Sequence, residues 1–282
     1  KNGRVIDPKN KRDGVFDVLI ENGKISKIGK GIKTKPKKTI DAKGKIVAPG
    51  LIDIHVHLRE PGREDKETIR TGLRAAVKGG FTSITAMPNT TPACDNQAIV
   101  KFLKDEAEKV KLANLFPIGT ITKGREGKEL SEIAELKESG CSALSDDGGS
   151  IDDTGLMRRA LEYASSFGIP IISHCEDKRL SEGGSINEGF ISTTLGLKGI
   201  PNKSESIMIE RDLALTELAK AKIHIAHVST EEGVRLIKEA KSKGIDVTAE
   251  VTPHHLALTD VCCKTYDTNT KVNPPLRDSK DI

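Results

Sequence analysis

The chain has 282 residues, with 45 Lys plus Arg against 41 Asp plus Glu, for a net charge of +4. Hydrophobic residues make up 36% and charged residues 30%, a balance that excludes a disordered or membrane-embedded chain. The length suits one large domain or two ordinary ones. The small positive charge gives no footing for nucleic acid, and no apolar run approaches the ~18 residues of a membrane span.

The first 46 residues carry short β-like runs at Phe16–Ile20, Lys24–Ile28 and Lys37–Ile40. Asn22-Gly23, Gly29-Lys30-Gly31 and Lys43-Gly44 follow them, and Asn-Gly between two such runs is a hairpin signal. This predicts a small antiparallel sheet, too short to build its own core. The Lys-dense stretch Lys30–Lys45 lies among turn residues and reads as solvated surface. With no Trp and 3% aromatics, the core must be built from Ile, Val, Leu and Ala.

From Ile46 the pattern becomes strand, loop, helix, repeated. Predicted strands are Leu51–His57, Ser83–Met87, Leu115–Ile121, Ser142–Asp146, Ile169–Cys175, Ile223–Ser229 and Asp246–Thr252. Predicted helices are Lys66–Lys78, Asn96–Lys111, Leu130–Ser139, Leu156–Phe167, Ser206–Lys220 and Glu231–Lys243. The last is entered by Ser229-Thr-Glu-Glu232, with capping-box spacing. Alternation of this kind indicates an α/β fold with a parallel sheet. Seven strands fall one short of a closed (β/α)8 barrel and also fit a doubly wound sheet. The expected domains are therefore 1–46, a partial β-sandwich, and 47–282, an α/β unit one strand short of eight.

Polar residues gather at the C-terminal ends of the strands, where barrel active sites are built. The first strand of the α/β part ends Asp53-Ile-His55-Val-His57, and alternation along a strand puts both imidazoles on one face. A lone His-x-His is as readily a hydrogen-bonded core pair as a metal-ligand pair. Three more strands end Leu144-Ser-Asp146-Asp147, Ser173-His174-Cys175 and Ile225-Ala-His227 at the same rim. Together they offer four His and at least one carboxylate, enough for two divalent metals, and imidazole with carboxylate favours zinc. By parity His227 aligns with Ile223 and Ile225 while His224 faces the other way. Only one would then face the interior, and the one nearer the strand end is chosen. Cys175 falls opposite His174 and reads as a small buried hydrophobe. Spacing does not choose between Asp146 and Asp147. His254-His255 read as supporting rather than ligating. Leu58-Arg59-Glu60-Pro61-Gly62, Met87-Pro88-Asn89-Thr90 and Val272-Asn273-Pro274-Pro275-Leu276-Arg277 are loops suited to an anionic substrate, with Arg59 the stronger candidate. Arg277 reads equally well as a surface charge.

The run Pro49-Gly-Leu-Ile-Asp53-Ile-His55-Val-His57-Leu-Arg59-Glu-Pro-Gly62 resembles the amidohydrolase superfamily, and within it the type I (bacterial-class) dihydroorotases. Met87-Pro-Asn89-Thr, Ser145-Asp-Asp147-Gly, His174-Cys-Glu, His227-Val-Ser and Val272-Asn273-Pro-Pro-Leu-Arg277 follow in that family's order, over essentially the whole chain. The resemblance implies a (β/α)8 TIM-type barrel with seven of its strands present here. It implies that His55 and His57 bind one zinc, that His174 and His227 bind a second, and that Asp147 bridges them. It places Arg59 and Asn89 on the substrate carboxylate, with Asn273 also holding the substrate. The family's acid/base Asp, in an Asp-x-His context at the end of strand eight, is expected beyond Ile282. No catalytic acid/base residue is therefore assigned within the chain, which reads as part of a longer protein.

The implied reaction is reversible zinc-dependent cyclisation of N-carbamoyl-L-aspartate to L-dihydroorotate, in de novo pyrimidine biosynthesis. Two alternatives stand beside it. One is a non-catalytic dihydroorotase-like subunit supporting aspartate transcarbamoylase; such relatives usually lose the metal-binding His residues, which are present here. The other is a dihydropyrimidinase, hydantoinase or allantoinase. Those usually bridge their metals with a carbamylated Lys from strand four, and Ser145-Asp-Asp147 offers none. A homodimer and an aspartate transcarbamoylase partnership are permitted by the resemblance and demanded by no residue. Nucleic acid and membrane are not expected partners. Five scattered cysteines and no signal peptide point to a reducing, cytoplasmic setting.

Overall fold

The computed structural model describes residues 1–282. Near the N-terminus, β1 (Gly3–Asp7), β2 (Arg12–Glu21), β3 (Lys24–Gly29) and β4 (Ile46–Val47) form one sheet in the order β3-β2-β1-β4. The β2–β3 hairpin turns through Asn22 and Gly23, both with positive φ, as a primed turn needs. The expected strand at Lys37–Ile40 is not formed. Ile40 is exposed there, so no buried face stabilises a pleat, and its carbonyl is capped by the N-terminal ammonium at 2.7 Å. The strands of this sheet that sequence reasoning missed are β1, which pairs with both β2 and β4, and the two-residue β4 itself. Buried Asp17 accepts the N–H groups of Asn2 (3.0 Å) and Ile32 (3.1 Å), tying the tail of this sheet to β2.

The α/β part runs β5 (Leu51–Val56), α1 (Ile69–Lys78), β6 (Phe81–Ala86), α2 (Gln97–Val110), β7 (Asn114–Gly119), α3 (Ile133–Ser139), β8 (Ala143–Ser145), α4 (Thr154–Ser166) and β9 (Ile171–Ser173). An excursion follows: α5 (Lys178–Ser181), β10 (Ile186–Asn187), α6 (Phe190–Leu195) and β11 (Gly199–Ile200), with β10 and β11 pairing in parallel. The wind resumes with α7 (Lys203–Ala219), β12 (Ile223–Ile225), α8 (Glu231–Ser242), β13 (Val247–Ala249) and α9 (Pro253–Ala257). The main sheet has seven strands in the order β13-β12-β9-β8-β7-β6-β5, all parallel. The order never reverses, so there is no switch point of a doubly wound fold. Each strand lies beside its successor, which is the winding of a barrel.

Local chemistry explains the helix starts. Asn96 caps α2 through the N–H groups of Ala98 and Ile99, Asp153 caps α4 through Leu156, and Thr68 caps α1 through Thr71. The cap of α8 is Thr230, which accepts from Gly233, and not Ser229. Ser229 is instead held by the buried Glu205 carboxylate, which takes the N–H groups of both Ser229 and Thr230.

Strand residues divide between two apolar clusters. Ile84, Leu144, Ile171, Ile223, Ile225 and Val247 pack with helix residues in the larger cluster, between sheet and helices. Met87, Ile118, Ala143, Ile172 and Ala226 form a smaller one on the opposite, inner face. His224 shares parity with Ala226 and so belongs to the inner face, while His227 has the nominal parity of the outer residues. The parity expectation for strand six is corrected here. The strand ends at Ile225, and His227 turns with φ +33°, which swings its imidazole back over the inner face. Both histidines therefore lie on the inner side, one above the other.

Candidate metal centre and substrate rim

The C-terminal ends of β5, β8, β9 and β12 bring His55, His57, Asp147, His174 and His227 together. Two groups form around Asp147: His55 and His57 on one side, His174 and His227 on the other, with the ligand atoms of each group within 4.8 Å of one another. Asp147 Oδ1 lies 3.3 Å from His55 Nε2, 3.7 Å from His174 Nδ1 and 3.7 Å from His227 Nε2. Its Oδ2 lies 3.7 Å from His57 Nε2. Oδ1 thus faces one histidine of the first group and both of the second, and Oδ2 faces the remaining one. Asp147 Oδ1 is buried and accepts no hydrogen bond. A buried, orphaned carboxylate oxygen ringed by imidazole nitrogens is a donor set that fits divalent cations.

Asp146 is separated from this centre by its contacts. Its Oδ1 accepts the N–H groups of Ile121 (2.8 Å) and Thr122 (3.1 Å), and Thr122 Oγ1 donates to Oδ2. Asp146 thereby pins the loop after β7, from which Arg125 Nη2 donates to the Asp147 carbonyl. Burial pushes the Asp146 carboxyl above its ordinary pKa, whereas that of Asp147 is driven the other way. Burial opposes that fall, but the imidazoles of His227 and His55 outweigh it.

The histidines differ in charge. Burial alone would lower His55, but Asp147 and Glu250 on its two nitrogens raise it to about 9. Burial lowers His57 and His227. His174 donates or accepts at both nitrogens: Nδ1 lies 2.8 Å from His227 Nε2, and Nε2 lies 2.8 Å from Glu176 Oε2. That contact with His174 is the main reason the Glu176 carboxyl falls to about 2.

The three expected substrate residues border the same space. Asn89 Oδ1 is 3.0 Å from His57 Nδ1, and its Nδ2 reaches Asp147 Oδ2 at 3.5 Å. Asn273 Nδ2 donates to Glu176 Oε2 at 3.1 Å. Arg59, with φ +60°, is close enough for its charge to help lower His57. Nearby Arg63 is paired with Asp65, whereas Arg59 has no carboxylate partner in the chain. Arg277 is not a surface charge. It is buried, and donates to Ser229 Oγ (3.1 Å), Asn187 Oδ1 (3.1 Å) and the Ile200 carbonyl (3.0 Å), clamping the excursion to the last rim loop. Cys175 is buried in the outer cluster. His255 holds the same loop: its Nε2 lies 3.1 Å from the Pro274 carbonyl and its Nδ1 2.7 Å from Thr252 Oγ1.

Sequence reasoning missed the supporting carboxylates. Glu176 shares the parity of His174 and could have been found from it. Glu250 follows β13 on the rim, the position where other strands carry their chemistry, but its partner is 195 residues away.

The fold and this rim define an amidohydrolase-type half-barrel. Solved structures share it over the full chain: an L-hydantoinase (dihydropyrimidinase) from Arthrobacter aurescens at TM-score 0.86 and 24% identity, covering 64% of that chain. A D-hydantoinase (dihydropyrimidinase) from Thermus sp. follows at TM-score 0.79 and 25% identity, again with 64% of that chain covered. The family itself is read from sequence: residues 44–233 match the family described as dihydro-orotase-like, and the chain belongs to it. It is 53% identical over 282 residues to a dihydroorotase of Acetivibrio thermocellus and 54% identical over 282 residues to one of Pelotomaculum thermopropionicum. In both cases all of this chain and 66% of the relative are aligned, so the chain spans about two thirds of their length.

Proposed function

We propose that this chain supplies the metal centre and carboxylate-binding rim of a dihydroorotase, interconverting L-dihydroorotate and N-carbamoyl-L-aspartate in pyrimidine biosynthesis. The observation that carries the reading is the orphaned Asp147 carboxylate set between two histidine pairs, with unpaired Arg59 beside it. His55 and His57 would hold one zinc, His174 and His227 the other, and Asp147 would bridge them. Bound there, zinc supplies Lewis-acid polarisation of an amide carbonyl and acidifies water toward neutral pH.

The chain's own residues do the rest. Asp147, kept ionised by its imidazole neighbours, donates a negative charge to each side of the centre. Arg59 offers a planar fork to the substrate carboxylate. Asn89 would share that carboxylate, and its contact with His57 fixes where its amide points. Asn273, held by Glu176, would place an amide on the substrate ring. Within residues 1–282 no group is assigned to proton transfer; the resemblance puts that Asp after Ile282.

The hydantoinase-like fold supports a second reading, a cyclic amidase for uncharged rings. Two features weigh against it: the strand-four end carries Asp147 and no Lys, and Arg59 would lack an anionic partner on such a substrate. A scaffold role is disfavoured by retention of all five ligands. Free thiols at all five cysteines suit a cytoplasmic setting. A homodimer or an aspartate transcarbamoylase partner is compatible with this reading. The test is turnover by the full-length protein with zinc added, offered L-dihydroorotate, hydantoin and allantoin separately. Turnover of dihydroorotate alone supports the proposal; turnover of hydantoin or allantoin instead replaces it with the second reading.

A further inference from the structure

Glu250 joins the two edges of the main sheet. It follows β13, the last strand, while His55 lies on β5, the first, and the two strands stand at opposite ends of the strand order. Glu250 Oε1 takes His55 Nδ1, and the backbone N–H of His227 donates to the same oxygen at 3.4 Å. The other oxygen, Oε2, faces His224 Nε2 at 3.4 Å. His224 is buried on the inner face below the rim. Its Nδ1 lies 2.8 Å from Thr248 Oγ1, and its Nε2, though it faces Glu250, makes no hydrogen bond. One carboxylate therefore touches a residue from each side of the metal centre and rests on a third imidazole beneath it. Glu176, the other carboxylate behind a ligand, touches only one of the five, His174.

A neutral imidazole carries one N–H. When His55 donates Nδ1–H to Glu250, its Nε2 keeps the lone pair, and Nε2 is the nitrogen that faces Asp147. The same carboxylate fixes the turn at His227, whose positive φ is what brings that imidazole over the inner face. The His55 contact does not follow from β-ladder pairing, because β5 and β13 are not neighbours, whereas the His227 contact lies beside the β12–β13 ladder.

We propose that Glu250 is a positioning residue for the metal centre: it holds His55 in the Nδ1–H tautomer and keeps the His227 turn in register with it, with His224 supporting its second oxygen. This rests on the reading of His55, His57, Asp147, His174 and His227 as metal ligands.

The test uses the full-length protein, stripped of metal and titrated with zinc alone against a chromophoric chelator. Wild type is compared with Glu250→Ala, Glu250→Gln and Glu250→Asp, and the His55 tautomer is read from histidine 15N shifts in the metal-free proteins at alkaline pH, where the ring is neutral. Glu250→Ala is expected to weaken zinc binding about 10- to 100-fold and to lose the Nδ1–H signature. Glu250→Gln still offers an oxygen acceptor and is expected to recover most of both. Should Glu250→Ala not fold, Glu250→Asp decides: a carboxylate drawn back by one methylene must bind zinc more weakly than wild type. Wild-type zinc affinity and an unchanged His55 signature in Glu250→Ala, or unchanged affinity in Glu250→Asp where the Ala variant does not fold, would overturn the proposal while leaving the ligand reading intact. Wild type that takes up no zinc overturns both.

Discussion

A carboxylate oxygen that is buried without a hydrogen bond carries a cost of at least ~1–3 kcal/mol, and Asp147 Oδ1 is such an atom. Cation binding removes that cost, so Asp147 should tolerate little change. Asp147→Asn is expected to lower bound zinc, measured by elemental analysis. It should also cut turnover by more than the ~10- to 100-fold typical of a residue that merely supports a ligand. Arg59→Ala should behave differently. Losing a hydrogen bond to a charged group costs ~1.5–3 kcal/mol, so kcat/KM for dihydroorotate should fall about 10- to 150-fold. Metal content should stay unchanged; a variant that loses zinc would place Arg59 in the centre rather than beside it. His255 makes a pH prediction. Burial, with a smaller push from His254, lowers it to about 4. The unfolded chain, with the ordinary value near 6.5, then takes the proton first. His255 therefore contributes its full stability above about pH 6.5 and loses it as pH falls toward 4. The metal-free protein should lose more thermal stability over this window than the His255→Gln variant does. Equal losses in scanning calorimetry would show that the Thr252 and Pro274 contacts do not depend on a neutral ring.

At the scale of elements, the rim loops are locked by close backbone approach. Gly62 has φ +99°, and a Cβ there would meet the Thr91 carbonyl at 2.1 Å. Gly62→Ala should destabilise the protein by ~1–3 kcal/mol through strain at that contact, read as a lower urea midpoint. It should also loosen the loop that carries Arg59. The order of strands and helices was legible because each α/β repeat carries its own apolar period and cap, as at Asn96 and Asp153. The ligand histidines were legible for a related reason: a polar residue at the end of an apolar strand breaks a local pattern. What stayed hidden depends on the third dimension. Lys37–Ile40 has a strand-like composition but no face to bury. His227 has the wrong parity until the chain turns at it. Arg277 looks like a loop charge until Asn187, Ile200 and Ser229 close around it. Glu250 gives no local signal at all, since its meaning lies in the opposite edge of the sheet.

For the whole molecule, the metal ligands come from strands spread across the main sheet, from β5 to β12. Cations held by the two groups that share Asp147 would link segments that otherwise communicate only through successive ladders. Anything that binds the folded state alone stabilises it by mass action, ~2.7 kcal/mol at a free concentration 100 times Kd. Adding zinc to the metal-free full-length protein should therefore raise its melting temperature, and a chelator should reverse the rise. The same titration on the Asp147→Asn variant should give a much smaller shift. An equal shift in both would mean that zinc stabilises the fold from somewhere other than this centre.

The spacing of the ligands along the chain also sets an order of events during synthesis. His55 and His57 emerge early, but each side of the centre needs Asp147, and the second side needs His227. At ~5–20 residues per second, the 172 residues from His55 to His227 take about 9 to 34 s to appear. The first side gains its carboxylate once Asp147 appears, 92 residues after His55, while the second stays incomplete until His227. Full-affinity metal capture is thus deferred until most of the strands are in place, and loading becomes a check that they have assembled.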